Sequence, residues 1–200
     1  MGAVTPLPST FYARDALDVA VDVIGCEVAH AGVRLRITEV EAYRHPGDTA
    51  NHARAGRTAR NAPMWGPPGH AYVYLCYGLH HMLNLVTNAD GEAAAVLVRA
   101  AEIVAGQDLV AARRGEKRGP VLLTGPGKVG QALALTTTHS GARLDGAIAV
   151  YPRSGPVPAL LHGPRVGIDY ASEADRLAPW RIAMAGTRWV SVPKGLVPRG

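Results

Sequence analysis

The chain has 200 residues, 48% apolar and 18% charged, a length and mix that fit one soluble globular domain and exclude a disordered chain. A net charge of +5 invites an anionic partner such as nucleic acid without identifying one. Cys26 and Cys76 have no metal or redox spacing and read as reduced thiols of a cytosolic protein; no apolar run approaches the roughly 20 residues of a membrane helix, and the first residues show no charged stretch followed by an apolar core.

In chain order, Asp15 reads as an N-cap and Gly25 as a helix terminator, with Leu17, Ala20, Val21 and Ile24 at helical spacing between them. Strands are predicted over 27–30 and 33–42, joined tightly at Ala31-Gly32. Val33, Leu35 and Ile37 share one parity of the second strand, and Glu39 and Glu41 continue it. The apolar row therefore ends in two carboxylates, with Tyr43 on the same face as Glu41. Such a row is ordinarily a strand running out into solvent, because a buried carboxylate is costly unless paired or used. Its company later in the chain argues for use.

Residues 44–70 carry Pro46, Gly47, Gly56, Pro63, Gly66, Pro67, Pro68 and Gly69, which predicts a long loop. Its contents (His52, Arg54, Arg57, Arg60 and Asn61) suit phosphate contacts. The alternating run 71–76 and the return strand 81–86 form a hairpin with Tyr77 at its tip and Asn84 on the return. A further strand, 93–101, carries Arg99. Residues 102–114 read as a helix ending in a basic knot of Arg113, Arg114, Lys117 and Arg118. Gly125-Pro126-Gly127-Lys128 opens a helix over 129–135 whose free N–H groups suit an anion. Short strands are predicted at 147–151, 165–168 and 181–184. The pattern predicts an α+β fold: one domain, 1–195, with a curved, mainly antiparallel sheet, flanking helices and a protruding hairpin. Residues 196–200, Leu-Val-Pro-Arg-Gly, read as a thrombin-cleavable tag remnant and are set outside the fold.

The ordered blocks Glu41-Ala42-Tyr43, Asn51-His52-Ala53-Arg54, Tyr72-Val73-Tyr74, Tyr77-Gly78, Asn84, Gly127-Lys128 and Gln131-Ala132-Leu133-Ala134 resemble the alkyladenine (3-methyladenine) DNA glycosylase family. Each block alone is weak; the ordered set, from about Pro8 to Val192, is specific. The resemblance implies a monofunctional glycosylase that flips a damaged purine out of double-stranded DNA and hydrolyses its N-glycosidic bond, with no metal and no organic cofactor. It implies Glu41 as general base, with Arg99 and a backbone carbonyl near Ile168 holding the water. Tyr43, His52 and Tyr74 match the stacking walls of a base pocket, Leu97 lies beside it, and Asn84 matches the residue that crowds the 2-amino group of guanine. Tyr77 matches the wedge that fills the vacated stack, and Arg57, Met64 and Lys128 match backbone and minor-groove contacts. The expected form is a monomer in the cytoplasm, nucleoid-associated and free of membrane.

Two other readings compete. A catalytically silent nucleic-acid-binding domain would need the basic surface but not Glu41, Arg99 and Asn84 together. A sugar hydrolase using Glu39 and Glu41 is not excluded by their spacing, roughly 6–7 Å along a strand, but neither flanks a separate acid across a groove. Glu39 is taken as structural.

Overall fold

A computed structural model describes residues 4–115 and 118–199; Lys117 of the basic knot and Gly200 of the tag-like segment lie outside the described residues. Helix α1 (Ser9–Tyr12) leads into α2 (Ala16–Val23). The Asp15 carboxylate accepts the Leu17 N–H at 2.8 Å, and Gly25 follows the last turn at φ +84°, so both ends of α2 are as the sequence predicts. Strands β1 (Glu27–His30) and β2 (Val33–Tyr43) turn through Ala31 and Gly32 at φ +48° and +81°, the paired left-handed angles that suit the twist of a tight hairpin.

The remaining strands are β3 (Ala71–Cys76), β4 (His80–Val86), β5 (Ala95–Ala105), β6 (Ala149–Tyr151), β7 (Leu160–Gly163), β8 (Arg181–Met184) and β9 (Val197–Pro198). Their order is β3-β4-β5-β2-β8-β7-β9, with β6 pairing β1 and β1 pairing β2, and every ladder among the described residues is antiparallel. One edge of β2 lies against β5 throughout. The other meets β1 as far as Arg36 and β8 from Glu39.

At that exchange of neighbours the ladder is irregular: Ile37 pairs with Ala101, Glu39 with Ala100 and Val40 with Val98. The expectation that Glu39 and Glu41 extend the apolar row is corrected here. Val33, Leu35 and Ile37 are in the main core, and so are Val40 and Ala42, so the inward parity changes across Thr38 and Glu39. On β5 the core positions Ala101 and Val98 are likewise three apart. A bulge is the standard means of re-aiming a strand's side chains. Here it moves both glutamates off the core row.

Three other expectations are corrected. Residues 102–105 are strand, not helix, because β2 is 11 residues long and holds a partner along its length: Leu35 faces Ile103 and Arg34 faces Ala105. The helix begins only past Gly106, as α3 (Gln107–Arg114). Residues 165–168 form a loop; the strand lies just before it, at β7, in register with β8. Val197 and Pro198, set outside the fold on sequence, pair with His162 and Leu161 as a short edge strand. Helix α5 (Glu173–Leu177) is an addition, capped by Ser172, whose hydroxyl accepts the Asp175 N–H at 3.2 Å.

Helices α2 and α4 (Pro126–Ala132) supply apolar side chains to the main core on one face of the sheet. On another face Met64, Tyr72, Val86 and Ala95 form a smaller cluster beneath loop 44–70. Two buried asparagines order that loop. Asn51 donates to the carbonyls of Arg44 and Ala93 at 2.7 and 2.9 Å, and Asn61 donates to those of His52 and Gly56, both at 3.0 Å. Helix α4 lies against the backbone of β4: a Cβ on Gly130 would sit 1.9 Å from the His81 carbonyl oxygen. Gly130→Ala is therefore expected to cost about 1–3 kcal/mol or more by overpacking, read by denaturant unfolding. Gly155→Ala, where a Cβ meets nothing within 4 Å, is the neutral control.

Candidate active site

The cavity that the bulge makes possible lies where β2, β5, β3 and β4 present side chains beneath loop 44–70 and loop 164–170. It has a volume of about 490 Å³, within the roughly 300–1,000 Å³ of small-molecule pockets. Its wall is aromatic. His52 and Tyr74 meet edge-on with ring centroids 4.5 Å apart, Tyr72 and Tyr74 are 5.4 Å apart, and Tyr43 lines the same cavity. The period of two explains why Tyr72 and Tyr74 stand together on β3, and the β3–β4–β5 ladder sets Asn84 opposite both Tyr72 and Leu97.

Burial governs the protonation of this wall. It pushes the Tyr72 hydroxyl up to about 12 and raises Tyr43 and Tyr74 well above the usual phenol value, the negative charge of Glu41 adding to the effect on Tyr43. The phenols therefore stay protonated at neutral pH. Burial, with Arg60 and Arg54 nearby, lowers His52 to about 4, so its ring is neutral and shares a 3.2 Å hydrogen bond with the Tyr72 hydroxyl.

Glu41 is fully buried and does not reach the cavity surface; Tyr43, Arg99 and Val166, which do, are its covering groups. The Tyr43 hydroxyl donates to Oε2 at 2.9 Å, the Val166 N–H donates to Oε1 at 2.7 Å, and Arg99 Nη1 stands 3.2 Å from Oε1. Arg99 also lies 3.6 Å from Glu39 and donates to the Ser191 hydroxyl. Desolvation opposes its charge, but Glu41 and Glu39 outweigh that and hold its pKa above the usual value. Glu39 is committed elsewhere: it accepts from Arg181 Nη1 at 3.2 Å and from the Ser191 N–H at 2.5 Å. The two-carboxylate sugar-hydrolase reading loses its second acid on this geometry.

Of the residues expected at the site, Tyr43, His52, Tyr74, Asn84, Leu97, Arg99 and Ile168 line the cavity, and Tyr77 stands at its mouth, 90% exposed on the hairpin tip. Asn84 donates to the Tyr72 carbonyl at 3.1 Å, which fixes its amide. Arg57 is exposed on the loop, apart from the cavity, and Lys128 is half-buried in the first turn of α4. Met64, only 2% exposed, packs with Ala53 and Tyr72 and lines the cavity. Sequence reasoning missed the lining residues Tyr72, Arg60, Met82 and Tyr170, and the Val166 N–H. Tyr72 had a signal, the parity it shares with Tyr74; the Val166 amide had none, because a backbone donor leaves no residue signature.

Because His52 stays neutral in the fold, the unfolded chain takes up its proton first as pH falls below 6.5. The contribution of this residue is whole above pH 6.5, declines as pH falls and is lost once pH passes about 4. His52→Phe is expected to flatten the pH dependence of stability across that window, and an NMR titration should place the His52 midpoint near 4 in the wild type.

No helix among the described residues is long and apolar enough to cross a membrane. The methylpurine-DNA glycosylase family model matches residues 10–188. A Nitrosococcus oceani protein named a 3-methyladenine DNA glycosylase is 58% identical over 195 residues, covering 96% of each chain. An Arabidopsis thaliana DNA-3-methyladenine glycosylase is 50% identical over 191 residues, covering 94% of this chain and 75% of its own. A Methanocella arvoryzae protein, also named a 3-methyladenine DNA glycosylase, is 45% identical over 182 residues, covering 88% and 90%. With this match spanning the strand that carries Glu41, the loop that carries His52 and the hairpin that carries Tyr77, the chain belongs to the methylpurine-DNA glycosylase family, hydrolases of N-glycosyl bonds.

Proposed function

We propose that this chain takes a damaged purine nucleotide out of double-stranded DNA into the aromatic cavity and hydrolyses its N-glycosidic bond, with Glu41 as general base. The observation that carries the reading is the Glu41 carboxylate, held by Tyr43, Val166 and Arg99 directly behind the cavity surface. Cleavage leaves positive charge on the sugar. A fixed carboxylate stabilises that charge and takes a proton from the attacking water. Arg99 and the Val166 amide hold the carboxylate in one orientation, and entry of the nucleotide opens a path for water by moving the Tyr43 hydroxyl off Oε2.

The base stacks among Tyr43, His52, Tyr72 and Tyr74. Aromatic faces accept purines altered in different ways, which suits alkylated adenines and extends to deaminated and etheno-bridged purines. The neutral imidazole and fixed phenols offer hydrogen bonds without adding charge. Asn84, its amide pinned by the Tyr72 carbonyl, crowds the guanine 2-amino group and guards normal DNA. Tyr77 is pre-formed at φ +51° on a two-strand support and fills the gap left by the base. Arg57 and Lys128 hold phosphates on either side. The protein acts as a monomer, in the cytoplasm, without a cofactor. A silent binding domain would leave the arrangement around Glu41 without a use.

Glu41→Gln tests the reading. It keeps the size and the acceptor oxygen and removes the charge. Binding to a lesion-bearing duplex is expected to persist while base release falls by about 10²–10⁴-fold, the range a positioned acid or base contributes. Turnover close to wild type would remove Glu41 from its role.

A further inference from the structure

Against the Tyr43 ring, and outside the cavity lining, lies a buried guanidinium that the hydrolysis itself does not use. The Arg165 side chain is fully buried and does not line the cavity. Its Cζ stands 4.7 Å over the Tyr43 ring and 4.8 Å over Trp180, and Arg44 lies over Trp180 in turn at 5.5 Å. Asp48, also buried, holds Arg165 through both terminal nitrogens at 2.6 and 2.8 Å, and the Ala42 carbonyl accepts from it at 3.0 Å. This pair joins the two loops that build the pocket: Asp48 precedes His52 on one, and Arg165 precedes Val166 and Ile168 on the other.

We propose that Arg165, balanced by Asp48, is a specificity-determining positioning residue: it sets the charge behind Tyr43 and so the preference of the pocket between positively charged and neutral damaged purines. This rests on the base-pocket reading above. Alkylation of a purine ring nitrogen in DNA gives a cation; deamination or etheno bridging leaves a neutral base. A cation stacked on one face of a phenol is attracted by the ring. It is also repelled by a second cation on the opposite face, in a site too dry to screen the two. Arg165 opposes part of the attraction that Tyr43 would otherwise give a charged base, and Asp48 limits how much. A neutral base feels neither effect. The pocket thereby keeps neutral lesions within range instead of favouring cations alone.

The test uses the full chain and two duplexes that differ only in charge at one nucleotide. Both carry at that nucleotide a 2′-fluoro sugar that resists hydrolysis; the base is 3-methyladenine in one and its neutral isostere, 3-methyl-3-deazaadenine, in the other. The readout is the ratio of dissociation constants, neutral over cationic. Arg165→Gln leaves the Asp48 charge behind the ring and is expected to raise the ratio by about three- to fivefold or more, three- to fivefold being the lower end of cation–aromatic contributions. Asp48→Asn leaves the Arg165 charge unbalanced and is expected to lower it by a similar factor. Each variant tests the idea alone if the other does not fold. A bracing role would weaken binding to both duplexes together, so a ratio unchanged in the folded variants overturns the proposal. If the wild type binds neither duplex better than undamaged DNA, the base-pocket reading fails and takes this proposal with it.

Discussion

Between Ile37 and Val40 the longest-paired strand of the sheet gives up one neighbour, β1, and takes another, β8, and in doing so turns its side chains over. Everything chemical in the protein depends on that turn. Without it Glu39 and Glu41 would point into an apolar core, where an unpaired carboxylate costs several kcal/mol, roughly, even after relaxation. With it they share a layer with Arg99 and Arg181, whose guanidiniums alternate with them. Such a buried array is at best neutral for stability compared with well-packed apolar side chains. Its place directly behind an aromatic cavity therefore speaks for use.

The same geometry explains the division of labour between scaffold and loops. Ladders fix Tyr72, Tyr74, Asn84, Leu97 and Arg99 as alternate residues of β3, β4 and β5. Loops supply His52, Val166 and Ile168, and each loop is tied down by buried polar groups: Asn51 and Asn61 on one side, and the Asp48–Arg165 pair between the two. This rigidity suits the catalytic role proposed for the pocket, since catalytic geometry tolerates little misplacement. Tyr77 stands exposed at the tip of a hairpin that α4 braces close to that tip, where Gly130 meets the backbone of His81.

Much of this was legible in the residues. Capping by Asp15, the hairpin at Ala31-Gly32, the tyrosine parity of β3 and the exposed tip at Tyr77 all follow from local rules, and local structure obeyed them. The failures share one cause: they depend on partners distant in sequence. The bulge at Thr38 has no residue signature, so strict alternation carried the glutamates into the core row. Residues 102–105 look helical until β2 is seen to need a partner of its own length. Arg165 read as part of a strand, and its value lies in Asp48 and Tyr43, more than a hundred residues earlier.

We propose that a carboxylate one layer behind an aromatic pocket cuts a damaged purine from DNA. The most direct measurement is incubation of the wild-type protein, in the presence of a chelator, with a duplex carrying one 3-methyladenine, followed by analysis of the free base and the strand. Free 3-methyladenine together with an alkali-labile abasic site, at a rate well above spontaneous loss, is the predicted result. An intact nucleotide bound to the protein, with release no faster than in buffer, would contradict the account and leave only a binding domain.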